Sequence, residues 1–188
     1  MKTLVQILLS AVVVAGCVST RDVAPRVYDF GIPATASADT RASVSVAAVR
    51  APQWLEANDM LYRLAYRDPH ALSAYGASRW AGAPPELLTL RLRQRLGSAP
   101  GAKCVLSVDL LEFSQVFDAP DRSRAVIHIQ AVLLDQRSRN GVASNEWRLE
   151  KAAPSADAAG GAAAFSVLAG ELAEAVHDWV GAAACRQE

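Results

Sequence analysis

Three thiols, three imidazoles and a scatter of carboxylates are what this 188-residue chain has to do chemistry with. His70, His128 and His177 fall on a loop, a strand and a helix, and no pair has the spacing of metal ligands. No two carboxylates form a pair that sequence alone would single out as general acid and base. The run Gly97-Ser98-Ala99-Pro100-Gly101-Ala102-Lys103 has the wrong glycine spacing for a phosphate loop and no Ser or Thr after its lysine, so it reads as a turn. Gly76-Ala77-Ser78-Arg79 lacks the second glycine of a nucleophile elbow. Neither a metal, nor a cofactor, nor a catalytic centre is expected. What remains is the cysteines: Cys17, Cys104 and Cys185.

Cys17 closes the stretch Leu4–Cys17, in which Lys2 is followed by a short apolar run and small residues, the layout of a secretory signal peptide. The apolar run is roughly a dozen residues, whereas a helix needs about 20 to span a bilayer core. Val14-Ala15-Gly16-Cys17 resembles the bacterial lipobox, a branched residue and two small ones before a cysteine. That resemblance implies diacylglycerol on the Cys17 thiol, cleavage after Gly16 and acylation of the new amino group. The small side chains admit a peptidase, and a thiol is the chain's best nucleophile for alkylation. Two or more acyl chains hold firmly where one gives only marginal attachment. Val18, rather than Asp, follows the cysteine and resembles the outer-membrane address of such lipoproteins. The expected location is therefore the periplasmic face of the outer membrane.

The expected organisation is a signal peptide over 1–16, a lipidated tether over 17–26 and one domain over 27–188. About 170 residues remain after cleavage, enough for one core. Basic and acidic residues balance at 19 each without blocks, and no basic stripe or aromatic-plus-basic platform suits a nucleic acid. In an exported protein Cys104 and Cys185 are a natural disulfide pair, with two buried free thiols as the alternative.

The elements that must position these residues follow from periodicity. Val27–Ile32 reads as a strand with Tyr28 and Phe30 on one face, Ser43–Arg50 alternates, and Met60–Arg67 is a strand with Ala71–Tyr75 returning beside it. Pro84-Pro85-Glu86 opens a helix to about Leu96 with Leu88, Leu92 and Leu96 as its stripe, leaving Arg91, Arg93 and Arg95 largely off it. Lys103–Phe117, Ser123–Gln136 and Val142–Lys151 read as an antiparallel meander, with a bulge near Leu110-Leu111 where the alternation slips. Ala152–Gly161 reads as a small-residue linker before a long helix from Ala162 to about Ala184. The order fits an α+β two-layer sandwich, a mostly antiparallel sheet with two principal helices on one face.

Four aromatic residues are candidates for partner binding: Trp54 and Trp80 in connecting segments, and Phe113 and Phe117 beside the expected bulge. Each also has a packing explanation, in which the tryptophans plug the ends of the sandwich, and packing is the favoured one.

Taken in order, several short motifs resemble the ABC-type transport auxiliary lipoproteins, the lipoprotein component of paraquat-inducible and MCE-type lipid transport systems. They are Pro52-Gln53-Trp54-Leu55, Arg79-Trp80-Ala81 before Pro84, Leu110-Leu111-Glu112-Phe113, Leu133-Leu134-Asp135 and the alanine-rich last helix. Tyr28-Asp29-Phe30 departs from the family's tyrosine-and-leucine first strand, which leaves that strand's pairing open. The resemblance implies a non-catalytic accessory that meets an MCE-domain protein at the outer membrane and, through it, an inner-membrane permease and ATPase. A homo-oligomer is compatible with the sequence. The competing expectations are an accessory lipoprotein for outer-membrane assembly or secretion, and a secreted hydrolase.

Overall fold

The computed structural model describes residues 24–32, 44–97 and 101–183. The signal peptide, Cys17, most of the tether, the loop after Ile32 and Cys185 lie outside the described residues.

The sheet is organised by its longest strand. β5 (Cys104–Ala119) carries inward-facing Cys104, Leu106, Val108 and Leu110, all at most 3 % exposed. It pairs antiparallel along one edge with β6 (Arg122–Asp135), which pairs in turn with β7 (Gly141–Ala152). Alternation puts Ala125, Ile127, Ile129, Ala131 and Leu133 of β6 on the same inner face. The register slips between Leu110 and Glu112, leaving Leu111 as the extra residue of the bulge expected there. The inner face then passes to Phe113, Gln115 and Phe117.

The other edge of β5 is shared. β2 (Val44–Val46) pairs parallel with Cys104–Leu106, and β3 (Asp59–Leu64) pairs parallel with Gln115–Phe117. Between them Arg50 bridges to Asp109 just before the bulge, by backbone pairing and by a two-pronged guanidinium–carboxylate contact at 2.7 and 2.8 Å. β4 (Ser73–Trp80) forms the hairpin with β3, and β1 (Arg26–Tyr28) joins β4 in parallel at the sheet's end. The order is β1-β4-β3-β5-β6-β7, with β2 on β5 beside that path. The long ladders are antiparallel, as expected, but three short pairings are parallel.

Both helices cover one face. α1 (Pro84–Leu96) buries Leu88, Leu92 and Leu96, and α2 (Ala158–Ala182) buries Phe165, Leu168, Leu172, Val176 and Val180. α2 packs on β6 and β7 and against α1, which makes the two-layer α+β sandwich. It is long and apolar enough to cross a membrane by length and composition, yet about half of that apolar window is spent on the core. Thr89 ties α1 to the chain after β2: its hydroxyl donates to Pro85 O at 2.7 Å and accepts from Val49 N–H at 2.8 Å.

Several boundaries differ from the sequence reading. β1 stops at Tyr28 because the chain leaves the sheet to cross the helices, leaving Phe30 buried and Ile32 almost wholly exposed. The alternation of the second strand ends at Val46; Ala48 is exposed and Val49 takes the buried place. The last helix starts at Ala158, so Gly160 and Gly161 belong to its first turn and not to a linker.

Candidate functional site

The chain after β1 is strapped across the helix layer. Phe30 O accepts from Arg91 Nη2 at 2.7 Å and from Ser166 Oγ at 2.6 Å, and Gly31 O accepts from Arg91 at 3.2 Å. Asp29 closes a small turn by accepting from Gly31 N–H at 2.7 Å, which suits the positive φ of 65° at Gly31. Beneath the strap the Phe30 ring meets Trp80 and Phe113, and both of those meet Phe165, with Phe113 and Phe165 stacked at 4.1 Å. One aromatic nest thus joins the first strand's exit, β4, β5 and α2. It fixes where the tether enters the domain, at the β1 end of the sheet.

Arg91 corrects the reading that placed it off the helix stripe. It lies three residues after Leu88, on the same helix face, and only 8 % of it is exposed. Burial lowers its pKa and the nearby Asp29 carboxylate opposes that change. A guanidinium holds its charge through such a shift, so the strap rests on a charged donor. The periodicity that would have revealed Arg91 was in the sequence; its charge concealed it.

A second polar node sits past the bulge. Gln115, 1 % exposed, accepts from the Tyr75 hydroxyl at 2.9 Å and donates to Ser123 Oγ at 2.8 Å and Asp157 O at 3.1 Å. Burial pushes the Tyr75 hydroxyl above its usual range, with the Asp157 charge adding to it. Asp157 caps α2 by accepting from Gly160 N–H and from the Ser155 hydroxyl, both at 2.7 Å, and the Gly160 bond is the first cause of its lowered pKa. Every polar group of Gln115 that is bonded meets protein, which gives it a structural task.

The candidate contact residues divide sharply. Trp54, in the one-turn 3-10 helix Gln53–Leu55, is 42 % exposed while its neighbour Leu55 is buried. Trp80, Phe113 and Phe117 are 1 %, 1 % and 6 % exposed, so as described they are core residues and offer no surface to a partner. Trp80 is the last residue of β4, not part of a connecting segment, and the bulge turns Phe113 and Phe117 toward the helices. Cys104 is buried on the helix face; Cys17 and Cys185, expected to carry lipid and to bridge with Cys104, lie outside the described residues.

Two concave surfaces follow α1. A groove of about 330 Å³ between the helices is lined by Ile32, Arg91, Gln94, Val167 and Glu174. A shallower one of about 590 Å³ lies between α1 and the chain after β2, at Val49, Glu56, Glu86, Leu90 and Arg93. The three histidines stay apart: His128 meets Glu146 at 2.6 Å on the open face of the sheet, and His177 lies on α2. Among the described residues no three His, Cys, Asp or Glu side chains gather where a metal could bind.

A family model described as the ABC-type transport auxiliary lipoprotein component matches residues 28–177, from the end of β1 to within six residues of the end of α2. The chain belongs to that family. A crystal structure of a Xanthomonas campestris protein of family DUF330 is similar with a TM-score of 0.71 at 20 % identity, covering 83 % of this chain and 96 % of that one. A second crystal structure, of an uncharacterized protein, is similar with a TM-score of 0.64 at 15 % identity, covering 84 % and 99 %. At such identities these two likenesses establish the fold alone. No curated protein matches the sequence. Family membership makes this auxiliary component a lipoprotein associated with ABC-type transport, and it suggests a non-catalytic role.

Proposed function

We infer that this protein is a non-catalytic outer-membrane lipoprotein subunit of an ABC/MCE-type intermembrane lipid transport system. It docks the periplasm-spanning MCE component, and through it the inner-membrane permease and ATPase. The observation that carries this reading is the family match over a domain whose first strand begins nine residues after the lipobox cysteine. Nine residues reach about 30 Å at full stretch. A domain tied through Cys17 at its β1 end stays beside its own bilayer, so a partner must cross the periplasm to meet it. Val18 after the cysteine supports the outer membrane as that bilayer. Trp54 is the one candidate contact residue that stays exposed, which supports its use as a contact on the docking surface.

With Cys17 carrying lipid, two cysteines remain, and a Cys104–Cys185 bridge is part of this reading. Cys104 is buried in the core, and α2 brings Ala183 against that same core, which supports the bridge. Alkylation of the unfolded, unreduced protein is expected to label neither residue; labelling at both would reject the bridge.

A photo-crosslinker at position 54, activated in native membranes, is expected to capture an MCE-domain protein, and Trp54→Ala to lower capture by other positions without unfolding the chain. Capture of secretion or outer-membrane assembly components alone would sink the transport reading.

A further inference from the structure

Arg91 is a cation taken out of water with no anion to meet it. Only 8 % of it is exposed, and no ion pair among the described residues includes it. The Asp29 carboxylate influences it without pairing, and is engaged with Gly31 N–H. A buried charge is costly unless it is paired. Of the guanidinium's N–H groups the strap takes only those of Nη2, whose acceptors are Phe30 O and Gly31 O. Nε and Nη1 have no acceptor among the described residues, yet neither is a buried orphan, so both stay reachable from the groove that Arg91 lines. We propose that this groove between the helices is a binding site for a small amphiphilic monoanion, its charged head on Arg91 and its apolar body along Ile32 and Val167.

Two helix faces and the strap build the groove. Arg91, Gln94 and Arg95 are spaced by three and four on α1, and Val167, Gly170 and Glu174 on α2, so each set shares one face. Gly170 keeps room at the centre, because a Cβ there would meet nothing within 4 Å. One turn beyond Arg91, Arg95 ties the helices together, its Nε 2.8 Å from both Glu174 oxygens.

Charge selects the occupant. Arg95 and Glu174 cancel, Gln94 is neutral, and Arg91 leaves the lining with one positive charge in excess. A ligand with one negative charge neutralises it, whereas a dianion overshoots and a cation is repelled. Holding the strap accounts for Nη2 alone: two carbonyl acceptors ask for a donor, not for a charge. The walls ask for more than an inorganic anion, since Ile32 and Val167 are exposed apolar side chains beside the guanidinium. A volume of about 330 Å³ is at the lower end for small-molecule pockets, which suits a short apolar body or the first part of a longer one. A fatty-acid carboxylate and a lipid phosphodiester share this chemistry, a single negative charge at the end of an apolar chain. The site is independent of which partner the domain docks.

Titration of the full lipidated protein in a non-ionic detergent, followed by the NMR shifts of the Gly170 amide and the Arg91 Nε, tests the site. Hexanoate and hexyl methyl phosphate are the monoanionic probes, hexanol the neutral control, and inorganic phosphate the control without an apolar body. Saturable shifts at both positions are expected with one or both monoanions, and binding about tenfold weaker for hexanol and for phosphate. The tighter monoanion names the source: hexanoate a free fatty acid, the diester a phospholipid head. Arg91→Ala would release the strap along with the ligand, so two variants leave Arg91 in place. Gly170→Leu fills the groove and should abolish the Arg91 shift. Gln94→Glu, at an exposed site, gives Arg91 a carboxylate of its own and should weaken monoanion binding about tenfold. No saturable shift with either monoanion, hexanol or phosphate binding as tightly as they do, or unchanged monoanion affinity in either variant would each overturn the proposal.

Discussion

Phe113→Ala is expected to cost about 3–5 kcal/mol of stability, the range for removing a buried ring from a packed core. Phe113 is where the aromatic nest closes: its ring meets Phe30 at 6.0 Å, Trp80 at 5.6 Å and Phe165 at 4.1 Å. Those three come from the strap, β4 and α2, so truncation leaves a cavity that no single element can fill by moving. The neighbours are held from outside the nest as well, the strap by Arg91 and Ser166, and such fixed walls relax poorly. At about 2–4 °C per kcal/mol for a domain of this size, the melting midpoint should fall by roughly 10 °C. Trp54→Ala, at an exposed site, should stay within about 0.5 kcal/mol of the parent. Urea denaturation of both variants checks the pair. A loss under about 1 kcal/mol at Phe113 would mean that the nest is not the packing centre of the fold.

Two glycines in one helix should respond with opposite signs to the same substitution. Helix propensity favours alanine over glycine by about 1 kcal/mol at any interior position. Gly170 has nothing within 4 Å of where a Cβ would sit, so Gly170→Ala should stabilise the protein by roughly 0.5–1 kcal/mol. At Gly160 a Cβ would lie 2.1 Å from Ser155 O and 2.7 Å from Ser155 N, both backbone atoms. The turn before α2 would have to move, and with it the Asp157 cap that Gly160 N–H completes. Overpacking of this kind costs about 1–3 kcal/mol, and losing a cap about 1 more, so Gly160→Ala should destabilise despite its better propensity. Thermal melts of the two variants side by side decide it. Stabilisation by both would show that propensity alone governs the helix start.

Those glycines also show where sequence reading stops. The pair Gly160-Gly161 looks like a linker because glycine breaks helices; only the close approach of Ser155 and of Gln115 makes small residues necessary there. The meander, its bulge, the Pro84–Leu96 helix and the inner faces of β5 and β6 were legible because each is written as a local period of two or of three to four. The parallel pairings were not, since β2, β3 and β1 find their partners across dozens of residues and no local period encodes a distant edge. Trp80 and Phe113 were legible as large rings but not as one nest, which depends on a strap that folds back over two helices. Arg91 was hidden by its charge, although its spacing put it in line with Leu88. Trp54 kept the exposure that a contact residue needs.

The reading as a whole turns on whether this domain is held at a bilayer by lipid. Intact-mass analysis of the mature protein extracted from separated outer membranes settles that most directly. The expected species is a chain beginning at Cys17 and heavier than its sequence by a diacylglycerol and an amide-linked acyl chain, with Cys17→Ser abolishing both the added mass and the membrane fraction. A soluble mature chain of unmodified mass would contradict it.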